Sequence, residues 1–305
     1  MLLLALQTLA PAFAPVALRI AGAEHAPFLG HASPSFRWSL ACGGCKSVVQ
    51  RCYELRVLDA GTGAAVLSTG RVNSSRLGHE ASALGLRSDA AYTWSVVVFG
   101  AHSAAAGEVT GVAQASFRSA LLRGSDWAGA AWIGGGTALR TGFTLPARKV
   151  ARATAYVSGA GCFQLSANGE KVAPGVFFEP SWANLPPVRM LYRAYDMTKM
   201  LVSGANALGV QTGMCKYGYL GADCPNADPA NANCRALILR LNIVFADGTS
   251  QNVSSTAAGW KVTTDANPIR YSHLYHGEIY DARLHDASWD TKAWKPSANW
   301  TAARD

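Results

Sequence analysis

The sequence has little charge, and the charge it has is not clustered. Only 15% of its 305 residues are Asp, Glu, Lys or Arg, and the net charge of +8 comes from scattered basic residues. Nucleic-acid-binding domains gather their basic residues into a patch or stripe, so this pattern argues against a nucleic-acid partner. No apolar run approaches the roughly 20 residues that span a bilayer. Half of the residues are apolar, which is enough to build real cores.

Several motifs of enzyme chemistry are missing as well. There is no Gly-x-Ser-x-Gly elbow, and the glycines at 134–136 are followed by neither Lys-Ser/Thr nor a helical pattern, which excludes a phosphate loop. Cys42 and Cys45 have CxxC spacing without a second such pair, which argues against a zinc or redox site. His273 and His276 lie on a strand-like segment, where an i, i+3 spacing is no metal motif.

Calcium is the one cofactor that the sequence leaves open. Asp223, Asn226 and Asp228 offer the hard oxygen ligands that Ca²⁺ prefers. Their spacing matches no EF-hand loop, so a polar surface loop is the favoured interpretation. We therefore expect no cofactor and no metal site.

The N-terminus and the cysteines favour an extracellular protein. Residues 1–14 resemble a short secretory signal that ends in a small-x-small site at 12–14, although the usual basic residues are missing. In a secreted chain the seven cysteines would form disulfides and leave one thiol over. Two groups are expected to pair internally: Cys42, Cys45 and Cys52, and Cys215, Cys224 and Cys234. We expect secretion, with a cytoplasmic location as the alternative.

Short strands dominate from residue 15 to residue 120. Residues 52–58 and 92–99 alternate apolar and polar side chains, which is the period of a half-buried strand. Trp94 lies on the apolar face of the second strand, so we expect it to be core and not a ligand platform. About seven short strands in a stretch of this length are typical of a fibronectin type III or immunoglobulin-like sandwich.

A second all-β module follows a linker. Residues 121–137 lose the strand periodicity, and strand-like segments resume over 138–305. The dipeptides Asn168-Gly169 and Asp247-Gly248 predict tight hairpins, and 236–245 is the clearest strand. The size of this module suits a jelly-roll β-sandwich of the galactose-binding-like kind.

Several blocks of the chain resemble a known family. Residues 132–134 look like the end of its fibronectin-like domain, and five further blocks look like its next domain: 168–172, 192–198, 204–210, 277–283 and 289–290. In this order and spacing they resemble the N-terminal region of the α-L-rhamnosidases of glycoside hydrolase family 78, over roughly residues 15 to 300. In that family a downstream (α/α)₆ barrel carries out hydrolysis. The resemblance therefore implies a front-end fragment whose partners are a rhamnose-containing glycan or glycoside and a catalytic barrel in a longer chain.

Two loops of the second module have the ingredients of a sugar site. Such sites combine an aromatic face with a few convergent polar groups. The candidate residues are Glu179, Trp182, Asn184 and Arg189 in one loop and Tyr217 and Tyr219 in another. The alternative is structural, with Trp182 capping the edge of the sandwich.

The stretch 277–283 carries two carboxylates, a tyrosine and an arginine. As a catalytic pair, Glu278 and Asp281 would flank a sugar, but in an extended segment their side chains point to opposite faces. We therefore expect no catalytic residue in this chain. Glu278, Tyr280, Asp281 and Arg283 are expected instead to form a closing strand and a joint to the following domain.

Three hypotheses for function remain. The favoured one is a non-catalytic N-terminal region that assists recognition or hydrolysis of terminal α-L-rhamnosides. The second is a free-standing, lectin-like carbohydrate-binding protein. The third is a structural or adhesive protein without a ligand.

Overall fold

The computed structural model describes residues 13–24, 28–42, 48–102, 108–176, 179–180, 190–213, 236–273 and 277–305. The chain divides into two compact units, Met1–Asp126 and Trp127–Asp305. Helical structure in the described residues is limited to the short 3-10 turns Gly124–Trp127 and Ala282–Leu284. The predicted all-β class is therefore confirmed. No helix in the described part of the chain is long and apolar enough to cross a membrane.

The first unit has eight strands within the residues that the structure describes. They are β1 (Ala14–Ile20), β2 (Phe28–Leu29), β3 (Ser35–Ala41), β4 (Val48–Asp59), β5 (Ala65–Asn73), β6 (Gly78–Glu80), β7 (Ala91–His102) and β8 (Glu108–Ser119). They form a three-stranded sheet in the order β1-β3-β6 and a five-stranded sheet in the order β2-β8-β7-β4-β5. All pairs are antiparallel except β2 with β8.

The core of this unit follows from the alternation of apolar residues in β4 and β7. Leu55 and Val57 of β4 are fully buried, and Trp94 of β7 is 1% exposed. Phe36 of β3 meets Trp94 edge to face, with the ring centroids 5.0 Å apart. Such edge-to-face pairs add to the energy of burial. The prediction that Trp94 belongs to the core is confirmed.

Asp59 closes the hairpin between β4 and β5 and links it to a distant loop. Its Oδ1 accepts hydrogen bonds from the backbone N–H groups of Gly61 and Thr62 at 2.9 and 3.0 Å. Its Oδ2 accepts two bonds from the Arg87 guanidinium, at 3.1 Å from Nε and 2.6 Å from Nη2. These hydrogen bonds, above all those from Arg87, hold the pKa of Asp59 below its usual range.

This interaction predicts a stability that depends on pH. Because the folded pKa of Asp59 is lowered, its contribution is present above the unfolded pKa of about 3.9 and is lost as pH falls through the folded value. Arg87 is exposed, so the contribution is about 1 kcal/mol. In thermal unfolding scans, Asp59→Asn should lower the stability at pH 7. Below pH ~4 the variant should lose less stability with falling pH than the unmodified chain does. Glu54→Gln in the same strand is the control, and an equal effect there would contradict the prediction.

In the described part of the second unit there are thirteen strands. They are β9 (Ile133–Gly134), β10 (Ala138–Leu145), β11 (Val150–Ala160), β12 (Cys162–Ala167), β13 (Glu170–Lys171), β14 (Arg193–Asp196), β15 (Gly204–Gly213), β16 (Ala236–Phe245), β17 (Ser250–Ser254), β18 (Lys261–Thr263), β19 (Ile269–His273), β20 (Gly277–Tyr280) and β21 (Thr301–Ala302). One sheet has the order β13-β12-β15-β10-β18-β21, and the other has the order β14-β11-β16-β17 with β9 also paired to β16. Strands β19 and β20 pair only with each other.

The two large sheets enclose one apolar core. Fully buried side chains from both sheets meet there, including Leu208 and Leu241, and the indole of Trp260 fills one end of the same cluster. The predicted hairpin at 168–169 is confirmed: Asn168 and Gly169 have φ angles of 53° and 89° and join β12 to β13. Positive φ at both positions is what a two-residue hairpin turn requires.

The stretch 277–283 is not the closing strand that we expected. Gly277–Tyr280 forms β20, which pairs with β19 outside both large sheets. The strand that completes the six-stranded sheet is Thr301–Ala302, which pairs with Lys261 and Val262 of β18. All four residues of β20 are exposed, so this strand buries no face against either large sheet.

Three of the seven cysteines lie within the described residues. Cys52 has a free thiol and donates a hydrogen bond to Oδ1 of Asn73, its cross-strand partner, at 3.2 Å. Cys42 and Cys162 are disulfide-bonded, and their partners lie outside the described residues. Cys52 is thus a free thiol and Cys162, placed in neither group, is bonded, while the pairing within the two groups stays a prediction. Secretion remains a prediction.

Candidate functional site

One of the six expected sugar-binding residues lies within the described residues. This residue is Glu179, the first of the loop that was expected to bind a sugar. The others lie outside them: Trp182, Asn184, Arg189, Tyr217 and Tyr219. The same holds for the calcium candidates Asp223, Asn226 and Asp228. Among the residues that are described, no group of three or more His, Cys, Asp or Glu side chains could hold a metal ion.

Glu179 is a buried carboxylate anchored to the six-stranded sheet. Its backbone carbonyl accepts a hydrogen bond from the Phe163 N–H at 2.9 Å, and its side chain pairs with the guanidinium of Arg193 on β14. The residue is only 6% exposed. Burial, followed by the negative charge of Glu179, raises the pKa of Tyr195 well above its usual value, so this phenol stays protonated.

These groups line a small depression. It has a volume of about 10 Å³, and its lining residues are Phe163, Gln164, Leu165, Val172, Ala173, Val176, Glu179 and Tyr195. The Glu179 carboxylate is already paired with Arg193, and the Tyr195 side chain also forms a hydrogen bond with it. The arrangement suits a residue that fixes the start of the 181–189 loop better than one that reacts with a substrate.

The carboxylates of 277–283 do not form a catalytic pair. Both Nε and Nη2 of Arg283 donate to the Asp281 carboxylate, at 2.8 and 2.7 Å. These hydrogen bonds lower the pKa of Asp281 to about 2, so it stays ionised and cannot serve as an acid. Glu278 is exposed on β20, where all four residues face solvent. The neighbouring Tyr280 forms a hydrogen bond of 2.9 Å with His285, and a role in a domain joint stays a prediction.

The structure also contains a cleft that the sequence did not reveal. It has a volume of about 120 Å³ and is open to solvent. The lining residues are Ala138, Gln211, Ala266, Asn267, Pro268, Leu284, Asp286, Trp289, Ser297, Asn299 and Trp300. The indoles of Trp289 and Trp300 are nearly parallel, at 17°, with ring centroids 6.1 Å apart. The only signal in the sequence is the density of tryptophan between residues 289 and 300.

A buried arginine holds one wall of this cleft against the six-stranded sheet. Arg140 of β10 is 7% exposed and donates hydrogen bonds to the carbonyls of Trp289 and Thr291, at 2.7 and 3.2 Å. Its guanidinium also lies 3.9 Å from the centroid of the Trp294 ring. Burial lowers the pKa of Arg140. An arginine remains charged even so, which makes this a cation–π contact as well as a clamp.

Both units match known protein families. Residues 148–305 match the family described as "Alpha-L-rhamnosidase N-terminal domain", and residues 15–123 match "Rha78A-like, N-terminal immunoglobulin domain". The first match alone spans more than half of the chain. The chain belongs to the α-L-rhamnosidase N-terminal domain family. The predicted resemblance is therefore confirmed.

Relatives of this family cover the chain at moderate identity. An α-L-rhamnosidase of Streptomyces avermitilis is 33% identical over 167 residues, which are 54% of this chain and 15% of that protein. An α-L-rhamnosidase of Alteromonas sp. is 25% identical over 298 residues, which are 90% of this chain and 31% of that protein. The chain thus spans less than a third of the length of these relatives.

Solved α-L-rhamnosidases share the fold. The enzyme from Dictyoglumus thermophilum superposes with a TM-score of 0.80 and 23% identity, covering 95% of this chain and 34% of its own. The Streptomyces avermitilis enzyme, solved in complex with L-rhamnose, gives 0.79 and 17%, covering 96% of this chain and 45% of its own. This chain therefore matches the N-terminal, non-catalytic domains of α-L-rhamnosidases, and no catalytic barrel is seen in its described residues.

Within this rhamnosidase N-terminal domain, Gly209 explains how the cleft wall approaches the sheet so closely. A Cβ at this position of β15 would lie 2.8 Å from Cη2 of Trp289 and from Oγ of Ser166, and closer still to Cβ of Asp290. Real Cβ atoms do not approach other atoms so closely. Only glycine therefore lets the segment that begins at Trp289 lie flat on the sheet.

We expect Gly209→Ala to push this segment off the sheet. The overpacking should lower the free energy of unfolding by about 1–3 kcal/mol. Thermal unfolding would measure the loss, and the near-ultraviolet circular dichroism of the tryptophans would report the displacement. Gly142→Ala in the neighbouring strand β10 is the matched control, because its Cβ would meet nothing closer than the Asn206 carbonyl at 3.8 Å. Equal losses in both variants would contradict the prediction.

Proposed function

We propose that this chain acts as the recognition part of an α-L-rhamnosidase, assisting the recognition or hydrolysis of terminal α-L-rhamnosides by a catalytic barrel in a longer chain. The observation that carries the proposal is the matched pair of domains over 15–123 and 148–305, in the same chain and order. The structural likeness over 95% of the chain supports it. The Streptomyces avermitilis structure adds support, because that protein was solved in complex with L-rhamnose.

The carboxylates that the structure describes support a non-catalytic role. An inverting glycosidase needs an acid and a base carboxyl roughly 6.5–9.5 Å apart, and a retaining one needs about 5–5.5 Å. Asp281 is locked in an ionised state by Arg283, and Glu179 is buried against Arg193. Glu278 lies on an exposed hairpin and has no side-chain hydrogen bond or ion pair within the described residues.

We expect the 305-residue chain to show no turnover of an aryl α-L-rhamnoside. The measurement is the release of the aryl alcohol over a long incubation at high protein concentration. Glu278→Gln separates a trace contaminant from a real active site, because contaminant turnover would persist in the variant. Turnover that copurifies with the chain and disappears in Glu278→Gln would refute the non-catalytic assignment.

Recognition would depend on Glu179, because this residue fixes the start of the loop with the candidate sugar contacts. We expect the chain to bind L-rhamnose and Glu179→Gln to weaken that binding by about tenfold, or about 1.4 kcal/mol, as measured by calorimetric titration. Loss of the pair with Arg193 would loosen the loop, since a neutral amide holds the guanidinium less tightly. Glu170→Gln, in the exposed strand β13, is the matched control.

The two alternative functions give different results in the same titration. A free-standing lectin-like protein would bind its sugar without any catalytic barrel and would show avidity towards multivalent glycans. A structural protein would bind no sugar, either as the unmodified chain or as Glu179→Gln. Rhamnose binding that is unchanged in Glu179→Gln would leave the family role intact and would remove Glu179 from recognition.

The exposed β19–β20 hairpin supports the proposed joint to a catalytic barrel. Ile279 and Tyr280 are 60% and 50% exposed. Asp281 and Arg283 stiffen the exit of the hairpin through their ion pair. A hairpin with exposed apolar side chains at its open end has the chemistry of a surface that another domain covers.

A further inference from the structure

The cleft beside Trp289 and Trp300 has features of a binding site rather than of a packing seam. It lies on the outer face of the six-stranded sheet, since Ala138 and Gln211 line it while their strand neighbours Leu139 and Val210 point into the core. It shares no lining residue with the depression around Glu179. Its ligand would therefore be additional to one bound at the Glu179 loop.

Several polar groups of the lining residues have no partner within the described chain. The side-chain amide of Gln211 makes no hydrogen bond there, and the indole N–H groups of Trp289 and Trp300 make none either. Asp286 uses Oδ1 to accept from the N–H and hydroxyl of Ser288, which leaves Oδ2 free. The cleft thus combines donors and an acceptor that a ligand could use.

Two other lining residues, Asn267 and Trp289, are already held in place. Asn267 is 2% exposed and uses both ends of its amide internally, donating to Thr137 at 2.8 Å and accepting from the Ile269 N–H at 3.1 Å. Arg140 holds Trp289 from behind through the carbonyl of that residue. A ligand would therefore meet a wall that needs little further ordering, which lowers the entropic cost of binding.

The charge of the lining selects the class of ligand. None of the lining residues is Lys, Arg or His, and the only formal charge among them is the carboxylate of Asp286. An anionic ligand would be repelled by this carboxylate and would find no cation to pair with. The remaining surface is apolar and aromatic, which suits the C–H face of a sugar ring, while the free amide, indole and carboxylate groups suit its hydroxyls.

We propose that this cleft binds a neutral pyranose, a hexose or a 6-deoxyhexose, as a second carbohydrate site of the chain. Trp300 and Trp289 provide the apolar wall, and Gln211 and Asp286 bind hydroxyl groups at its edge. Arg140 is a positioning residue that acts through Trp289. The site does not depend on the Glu179 loop or on a catalytic barrel.

The test is calorimetric titration of the 305-residue chain with L-rhamnose, L-fucose, D-galactose and D-glucose, and with D-glucuronate as the anionic probe. At least one neutral sugar is expected to bind, and glucuronate to bind at least about tenfold more weakly than its neutral counterpart glucose. Trp300→Ala, Gln211→Ala and Asp286→Asn should each weaken binding of the neutral sugar by about tenfold. Asp286→Asn should also narrow the difference between glucose and glucuronate.

Trp132→Ala is the matched control, because this tryptophan is 38% exposed and does not line the cleft. Should Trp300→Ala fail to fold, the two polar variants decide the question. The proposal is overturned if no neutral sugar binds, or if the cleft variants bind as tightly as the unmodified chain. It is also overturned if Trp132→Ala matches their loss. Binding that is lost only in Glu179→Gln would assign the sugar to the other loop, which would leave the proposed function standing and the cleft without a ligand.

Discussion

The second unit depends on one buried cation. Arg140 lies on the outer face of the six-stranded sheet, where a charge in a jelly roll would ordinarily reach solvent. The segment after Trp289 crosses over it, and the guanidinium is then satisfied by two backbone carbonyls and by the face of Trp294. Burying a charge is costly unless its hydrogen-bonding groups are matched in this way. The segment and the arginine therefore stabilise each other, and neither arrangement would hold alone.

The hydrogen bonds from Arg140 to the segment after Trp289 change the outer face of the six-stranded sheet. Strand β10 is buried on both faces at its start, because Leu139 points into the core while Ala138 and Arg140 are covered from outside. Glycine at position 209 allows that cover to approach, and the indole of Trp289 then stands at a fixed place beside Trp300. The cleft is thus a consequence of how the chain end is held. A site built on such a support keeps its geometry before a ligand arrives.

Local patterns predicted the sandwich cores and the tight turns because both depend on residues that are close together in the sequence. The alternation around Trp94 and the dipeptide at 168–169 each depend on side chains within a few positions. The cleft was missed because its wall is held by Arg140, which is separated from Trp289 and Thr291 by 149 and 151 residues. Tryptophans close together in sequence are as common in cores as in sites, so their density alone cannot place them.

The stretch 277–283 shows the opposite error, in which local density suggests more chemistry than the geometry allows. Asp281 finds its partner two residues away, and this short-range pair both caps the following turn and removes the carboxylate from acid chemistry. A carboxylate that is already bonded to a residue close in sequence is a poor candidate for catalysis, because its oxygens are engaged in stabilising the local backbone. The side chains of Glu278 and Ile279 stay exposed on β20, beside a tyrosine whose hydroxyl is already bonded to His285. The proposed joint to another domain would therefore depend on the exposed surface of this stretch and not on a reactive group.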